Sequence, residues 1–182
     1  PLKYPLLEYN LCRCSQNLNK QKEFHFRYAR IWGIFHPEMI HLSKDADLIG
    51  VSKFDRIIEF LNTLNLIPYF DLSPYSRTLM NLSNTAISYE KLPEYSLEQW
   101  ELLLRGFFFH CVDMWGIEAV STWQFELWFP TLYGNPLYPN SRELFIFKYV
   151  TYFQAARKLL KEISPESRLG GPGLNLDDTS MH

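Results

Sequence analysis

The fold is decided by residues 121–131, which read Ser-Thr-Trp-Gln-Phe-Glu-Leu-Trp-Phe-Pro-Thr. The part from Trp123 to Trp128 is aromatic and aliphatic with polar side chains in between, which is typical of a short buried strand. A long helical pattern precedes this strand, and Pro130 ends it. A strand placed after such a helix indicates a fold of alternating strands and helices, in which functional residues lie at the strand ends.

Composition indicates one domain with a large core. The chain has 182 residues, of which 47% are hydrophobic and 16% are aromatic. The formal net charge is −2 and the basic residues are scattered, which argues against direct nucleic-acid binding by this chain. Three cysteines without metal-ligand spacing favour a reducing, cytoplasmic setting. We expect no metal and no cofactor, and the sequence has no run of about 18 apolar residues that would span a membrane.

Hydrophobic periodicity predicts further strands and helices on both sides of residues 121–131. The predicted strands are 9–14, 26–35, 67–72 and 168–172, and the predicted helices are 16–23, about 53–64, 97–115 and 141–163. Capping boxes are predicted at three helix starts, namely Ser52 with Asp55, Ser96 with Gln99, and Asn140 with Glu143. Gly116 is placed as a helix C-terminal glycine. Residues 41–50 and 76–95 are predicted loops.

This order of elements predicts an α/β fold with parallel strands and outer helices. No strand is followed by a glycine-rich phosphate-binding turn, so a dinucleotide-binding fold has little support. His110 lies within the predicted helix 97–115, and we interpret it as a structural histidine rather than a catalytic one.

Three segments carry a resemblance to glycoside hydrolase family 39, the family of β-xylosidases and α-L-iduronidases. Phe125-Glu126-Leu127-Trp128 resembles the family's fourth strand, Phe-Glu-Val-Trp-Asn-Glu-Pro, whose second Glu is the general acid/base. Here Phe129-Pro130 stand in the place of Asn-Glu, so the resemblance implies that the proton donor is missing.

The other two segments flank this strand. Residues 26–35 resemble the family's second strand, with Trp32 in the place of a sugar-contacting His. Residues 168–172 resemble the segment that contains the family's Val-Gly-Gly-Pro motif. The resemblance covers about residues 24–175 and implies a partial (β/α) TIM-type barrel, about strands 1 to 5. Residues 1–182 are then one partial domain, with 1–14 uncertain and 176–182 a tail.

The predicted strand ends suggest a sugar-binding cleft, because apolar sugar faces stack on aromatic rings and a few polar groups fix their orientation. The candidate residues are Trp32, Phe35, His36, Asp71, Ser73, Tyr75, Trp128, Phe129, Tyr133 and Asn175. Ordinary core filling is an equal alternative for the aromatic members, and Asp71 could instead cap a loop. We expect Glu126 to be a buried carboxylate paired with an arginine such as Arg30.

Three functions remain open. A catalytically inactive, carbohydrate-sensing or regulatory domain is the first, since family-39-like domains occur in the C-terminal region of some AraC-type bacterial transcription regulators. A fragment of an active β-xylosidase-like hydrolase is the second, and a structural dimerisation module is the third. The expected partners are a saccharide and a second copy, which would contact the last helix around Phe147, Tyr152 and Leu159. No contact with nucleic acid or membrane is expected.

Overall fold

A computed structural model describes residues 26–31, 33–35, 39–43, 45, 47–73, 95–128 and 142–173. Six strands and four helices occur in these ranges. In chain order they are β1 (Tyr28–Ile31), β2 (His41–Leu42), β3 (Leu48–Ile49), α1 (Val51–Thr63), β4 (Ile67–Asp71), α2 (Leu97–Trp115), α3 (Ile117–Thr122), β5 (Gln124–Trp128), α4 (Arg142–Ile163) and β6 (Arg168–Gly173).

The main sheet has four strands in the order β1-β4-β5-β6. All three pairings are parallel, and a helical segment precedes each of β4, β5 and β6. Each strand therefore joins the sheet beside the strand before it, as in a β/α barrel. The predicted α/β fold with parallel strands and helices is confirmed.

One face of the sheet packs on the helices and forms the core. Phe70 in β4 contacts the rings of Phe54, Phe107, Trp123 and Phe125 at centroid distances of 5.5 to 5.9 Å. Because side chains alternate along a strand, burial of Phe70 and Phe125 on this face places their neighbours on the other face. Other core side chains from the helices are Ile58, Trp100, Leu103, Leu104, Phe108, Tyr152, Ala156 and Leu160.

Helix α2 follows its predicted bounds at both ends. The Ser96 hydroxyl accepts the backbone N–H of Gln99 at 3.2 Å, and the Gln99 side chain accepts the backbone N–H of Ser96, so the predicted capping box is confirmed. Gly116 ends the helix with φ 80°, a conformation that favours glycine.

The capping box predicted at Ser52 and Asp55 is wrong. Helix α1 begins two residues earlier, at Val51, and its N-cap is Gly50 with φ 86° and no side-chain cap. A Cβ at Gly50 would lie 1.6 Å from the carbonyl oxygen of Met39, so the backbone approaches too closely for any other residue. Asp55 instead binds His110 of α2.

Two further boundaries differ from the sequence-based expectations. The strand predicted at 26–35 ends at Ile31, because Gly33 has φ 75° and leaves the extended conformation. Residues 41–50 contain the antiparallel hairpin of β2 and β3, whereas the polar composition of this segment had indicated a loop.

Three predictions lie outside the described residues, namely the elements at 9–14 and 16–23 and the capping box at Asn140. None of the described helices combines the length and the apolar character needed to cross a membrane.

Candidate functional site

A cluster of polar side chains lies on the sheet face opposite the helices, which we call the polar face. Strand register pairs Arg30 with Tyr69, and Asp71 with Glu126. Tyr69 and Asp71 are two residues apart in β4 and therefore point to the same side. Arg30, Tyr69, Asp71 and Glu126 thus form one polar cluster across β1, β4 and β5.

Glu126 is the centre of this polar cluster, and only 8% of its side chain is exposed. The Arg30 Nε donates to Glu126 Oε1 at 2.5 Å, and the Arg30 Nη2 lies against the same oxygen. The Tyr69 hydroxyl donates to Glu126 Oε2 at 2.6 Å. Both carboxylate oxygens therefore have strong donors, and the predicted pairing of Glu126 with Arg30 is confirmed.

Asp71 has two roles at the end of β4. Its Oδ1 accepts the backbone N–H of Ser73 at 3.0 Å and also the Ser73 hydroxyl, which fixes the start of the following loop. Its Oδ2 lies 3.8 Å from the Arg30 Nη2, and its side chain is 3% exposed. One guanidinium thus faces two buried carboxylates, so these three groups together carry a charge of −1 when all are ionised.

Two tyrosines around Glu126 keep their protons well into the alkaline range. Burial, the hydrogen bond to Glu126 and the charge of that carboxylate raise the pKa of Tyr69 to about 12. Burial and the Glu126 charge likewise raise the pKa of Tyr149, in α4, to about 12. At neutral pH Tyr69 is therefore a hydrogen-bond donor that holds the Glu126 carboxylate in place.

Of the predicted site residues, Asp71 and Ser73 lie together in the structure, and Phe35 lies apart from them in the core. Asp71 and Ser73 lie next to each other at the end of β4. Phe35 is 1% exposed and packs edge-on against Phe107 in the core, as the core-filling alternative proposed. The backbone of Trp128 ends β5. The remaining candidates lie outside the described residues: Trp32, His36, Tyr75, Phe129, Tyr133 and Asn175.

His110 was predicted to be a structural histidine. Its Nε2 lies 2.8 Å from Asp55 Oδ1, between α2 and α1, which agrees with this prediction.

Tyr69 belongs to the polar cluster but was not predicted as a site residue. The signal available in the sequence was its two-residue spacing from Asp71, which places both side chains on the same strand face. Within the described ranges no group of three His, Cys, Asp or Glu side chains could hold a metal ion.

The parallel strands, the outer helices and the polar cluster toward the ends of β4 and β5 define the β/α-barrel class of proteins. A comparison with protein families identifies which barrel family this is. The model of glycosyl hydrolases family 39 matches residues 8–181, and the chain therefore belongs to this family.

Individual relatives agree with this assignment. A protein named Beta-xylosidase from Caldicellulosiruptor saccharolyticus is 28% identical over 164 residues, which cover 85% of this chain and 32% of that protein. A Beta-xylosidase from Geobacillus stearothermophilus is 24% identical, with coverage of 85% and 31%. The crystal structure of a monomeric beta-xylosidase from Caulobacter crescentus CB15 matches with a TM-score of 0.64 and 27% identity, covering 87% of this chain and 32% of that chain. The present chain thus spans about a third of the length of these relatives.

Proposed function

We propose that this chain supplies a saccharide-binding face of a family-39 barrel and holds a neutral β-xyloside without cleaving its glycosidic bond. The observation that carries this proposal is that hydrogen bonds and ion pairs within the protein occupy both buried carboxylates on the polar face, Glu126 and Asp71. Retaining glycoside hydrolysis needs one carboxyl group that transfers a proton and a second that attacks the sugar, about 5 to 5.5 Å apart. Neither Glu126 nor Asp71 is free for such a role.

Glu126 accepts hydrogen bonds at both oxygens, from Arg30 and from Tyr69. A general acid must carry its proton on an oxygen that faces the leaving group, and both Glu126 oxygens face protein donors instead. Asp71 is held by Ser73 and lies near Arg30. These contacts support a structural role for the carboxylates and leave the acid/base role to the position that Phe129-Pro130 occupies.

The choice of a neutral sugar rests on the charge of the polar cluster and on the names of the relatives. The net charge of −1 on Arg30, Asp71 and Glu126 disfavours an anionic sugar, whereas hydroxyl groups can accept from the guanidinium. The curated relatives in Caldicellulosiruptor saccharolyticus and Geobacillus stearothermophilus are both named Beta-xylosidase. A xyloside is the ligand that fits both observations.

We assign this binding to a regulatory role, as the carbohydrate-sensing part of a bacterial transcription regulator of the AraC type. The support is the combination of a retained barrel scaffold with Phe129-Pro130 in the place of the family's Asn-Glu, together with the resemblance of residues 26–30 and 170–172 to that group. The DNA-binding segment would lie elsewhere in the full-length protein, and the setting is cytoplasmic.

A second function is favoured by the relatives' names alone, namely that the chain is part of an active β-xylosidase. A chromogenic nitrophenyl β-xyloside separates the two possibilities when the full-length protein is incubated with it. The binding proposal predicts no nitrophenol release above a buffer blank, because general acid catalysis alone contributes about 10²–10⁴-fold. Steady release that scales with protein concentration would overturn this proposal and establish the hydrolase.

A further inference from the structure

Strand β6 contains two adjacent glycines that face opposite sides of the sheet. Gly170 pairs with Glu126 and therefore belongs to the polar face. Gly171 faces the helices, where a Cβ would lie 2.5 Å from the Tyr149 hydroxyl and 2.6 Å from the carbonyl oxygen of Leu127. Gly171 also has φ 135°, so both packing and backbone conformation require glycine there.

Neither requirement applies to Gly170. Its φ lies outside the positive range, and the carbonyl oxygen of Phe125, at 3.7 Å, is the only described atom near the position of a Cβ. That distance is an ordinary van der Waals contact, and Gly170 is exposed. Packing against the described residues would therefore accept a side chain at this position, so the glycine calls for an explanation other than that packing.

The position of Gly170 beside Glu126 gives that explanation. Arg30 and Tyr69 hold the Glu126 carboxylate from β1 and β4, on the side away from β6. On the β6 side Gly170 presents bare backbone. The register also shifts here, since β6 advances three residues from Gly170 to Gly173 while β5 advances two from Glu126 to Trp128. Such bulges are frequent next to functional sites, and a strand glycine often marks the close approach of a ligand.

We propose that Gly170 is a specificity-determining position, and that the space beside it admits one face of a neutral pyranose ring. This inference rests on the proposed saccharide binding. The bare backbone of Gly170 allows the C–H face of the sugar to approach the sheet closely. The Arg30 guanidinium, whose side chain is 42% exposed, lies across Glu126 and donates to a sugar hydroxyl.

The experiment compares Gly170→Ala, Gly170→Val and Gly171→Ala in the full-length protein, with methyl β-xyloside as the probe in calorimetric titrations. We expect Gly170→Ala and Gly170→Val to keep the wild-type thermal unfolding midpoint. Gly170→Val should weaken binding by at least about tenfold, and Gly170→Ala by less, because the larger side chain fills more of the space. Gly171→Ala should lower the unfolding midpoint, since its Cβ would overlap the Tyr149 hydroxyl.

The outcomes separate this inference from the proposed function. If the wild-type protein binds methyl β-xyloside and folded Gly170→Val binds it equally well, the inference is wrong and the proposed function stands. If the wild-type protein binds no xyloside, the proposed function fails and the role of Gly170 fails with it. If Gly170→Val loses stability as Gly171→Ala does, Gly170 is required for packing and the inference is again wrong.

Discussion

Arg30 in β1 reaches across β4 to Glu126 in β5 and joins two strands that are not neighbours in the sheet. The two residues are 96 positions apart in the sequence. Tyr69, in the strand between them, binds the other oxygen of Glu126. One carboxylate thus ties three consecutive parallel strands together, and this contact fixes the polar face on which a ligand would lie.

A double-mutant cycle should show that this ion pair stabilises the fold. We expect Arg30→Gln and Glu126→Gln to be coupled by about 1–3 kcal/mol in denaturant unfolding, because hydrogen bonds to a buried charge are stronger than those at the surface. The value lies below that of a fully buried pair, since Arg30 is partly exposed. The matched control is Arg105 with Glu162, an exposed pair at 3.2 Å, for which we expect less than about 1 kcal/mol. Equal coupling in both pairs would contradict the central role of Glu126.

The raised pKa of Tyr69 predicts a loss of stability at high pH. In the unfolded chain this phenol titrates near its ordinary value of 10.0, and in the folded protein at about 12. Between these values the unfolded state releases the proton first, so the contribution of Tyr69 to the free energy of unfolding is constant below about pH 10 and falls as the pH rises toward 12. Tyr69→Phe should make the fall shallower, and the remaining slope should come from Tyr149, Tyr95 and Cys111, since burial raises the pKa of each of these groups as well. The test is denaturant unfolding at a series of alkaline pH values, and a slope unchanged in Tyr69→Phe would contradict it.

The aromatic cluster around Phe70 should carry much of the stability. Phe70 is fully buried and contacts Phe54, Phe107 and Phe125. Phe70→Ala should cost about 3–5 kcal/mol in the free energy of unfolding, from lost burial and the cavity left behind. Phe109→Ala is the matched control, because Phe109 is 54% exposed and its removal should change stability by no more than about 0.5 kcal/mol.

A homodimer remains a prediction, and the structure changes its expected contact. Tyr152 and Leu159, which we expected at the interface with Phe147, are buried in the core of the same chain. The exposed apolar side chains near the start of α4 are Ile146, Phe147 and Val150. We expect Phe147→Lys to shift the isolated chain from dimer toward monomer in sedimentation equilibrium. A wild-type mass of 21.6 kDa at micromolar concentration would show that no dimer forms.

The sequence predicted best where short-range signals coincide. The bounds of α2 were correct because Ser96, Gln99 and Gly116 mark its ends and an apolar face runs between them. The pairing of Glu126 with an arginine was predictable because a buried carboxylate requires a partner. The family resemblance likewise depended on local motifs, and the family comparison confirms it.

Predictions failed where distant residues decide the structure. The start of α1 depends on the close approach of Met39 to Gly50, which no local pattern around Ser52 reveals. The sequence left Phe35 open between the cleft and the core, and α2 supplies Phe107 against which it packs in the core. Tyr69 was missed as a site residue, because it belongs to the site only through its hydrogen bond to Glu126, 57 positions away. The contact of Tyr69 with Glu126 follows from the register of β4 and β5, which hydrophobic patterning alone does not determine.

The measurement that tests the central claim most directly combines binding and turnover in one sample. The full-length protein is titrated with methyl β-xyloside in a calorimeter, and the sugar is then examined by nuclear magnetic resonance after prolonged incubation. The account predicts saturable heat of binding, weakened in Arg30→Ala, and recovery of the intact glycoside. Absence of binding heat at millimolar ligand, or the appearance of free xylose, would contradict it.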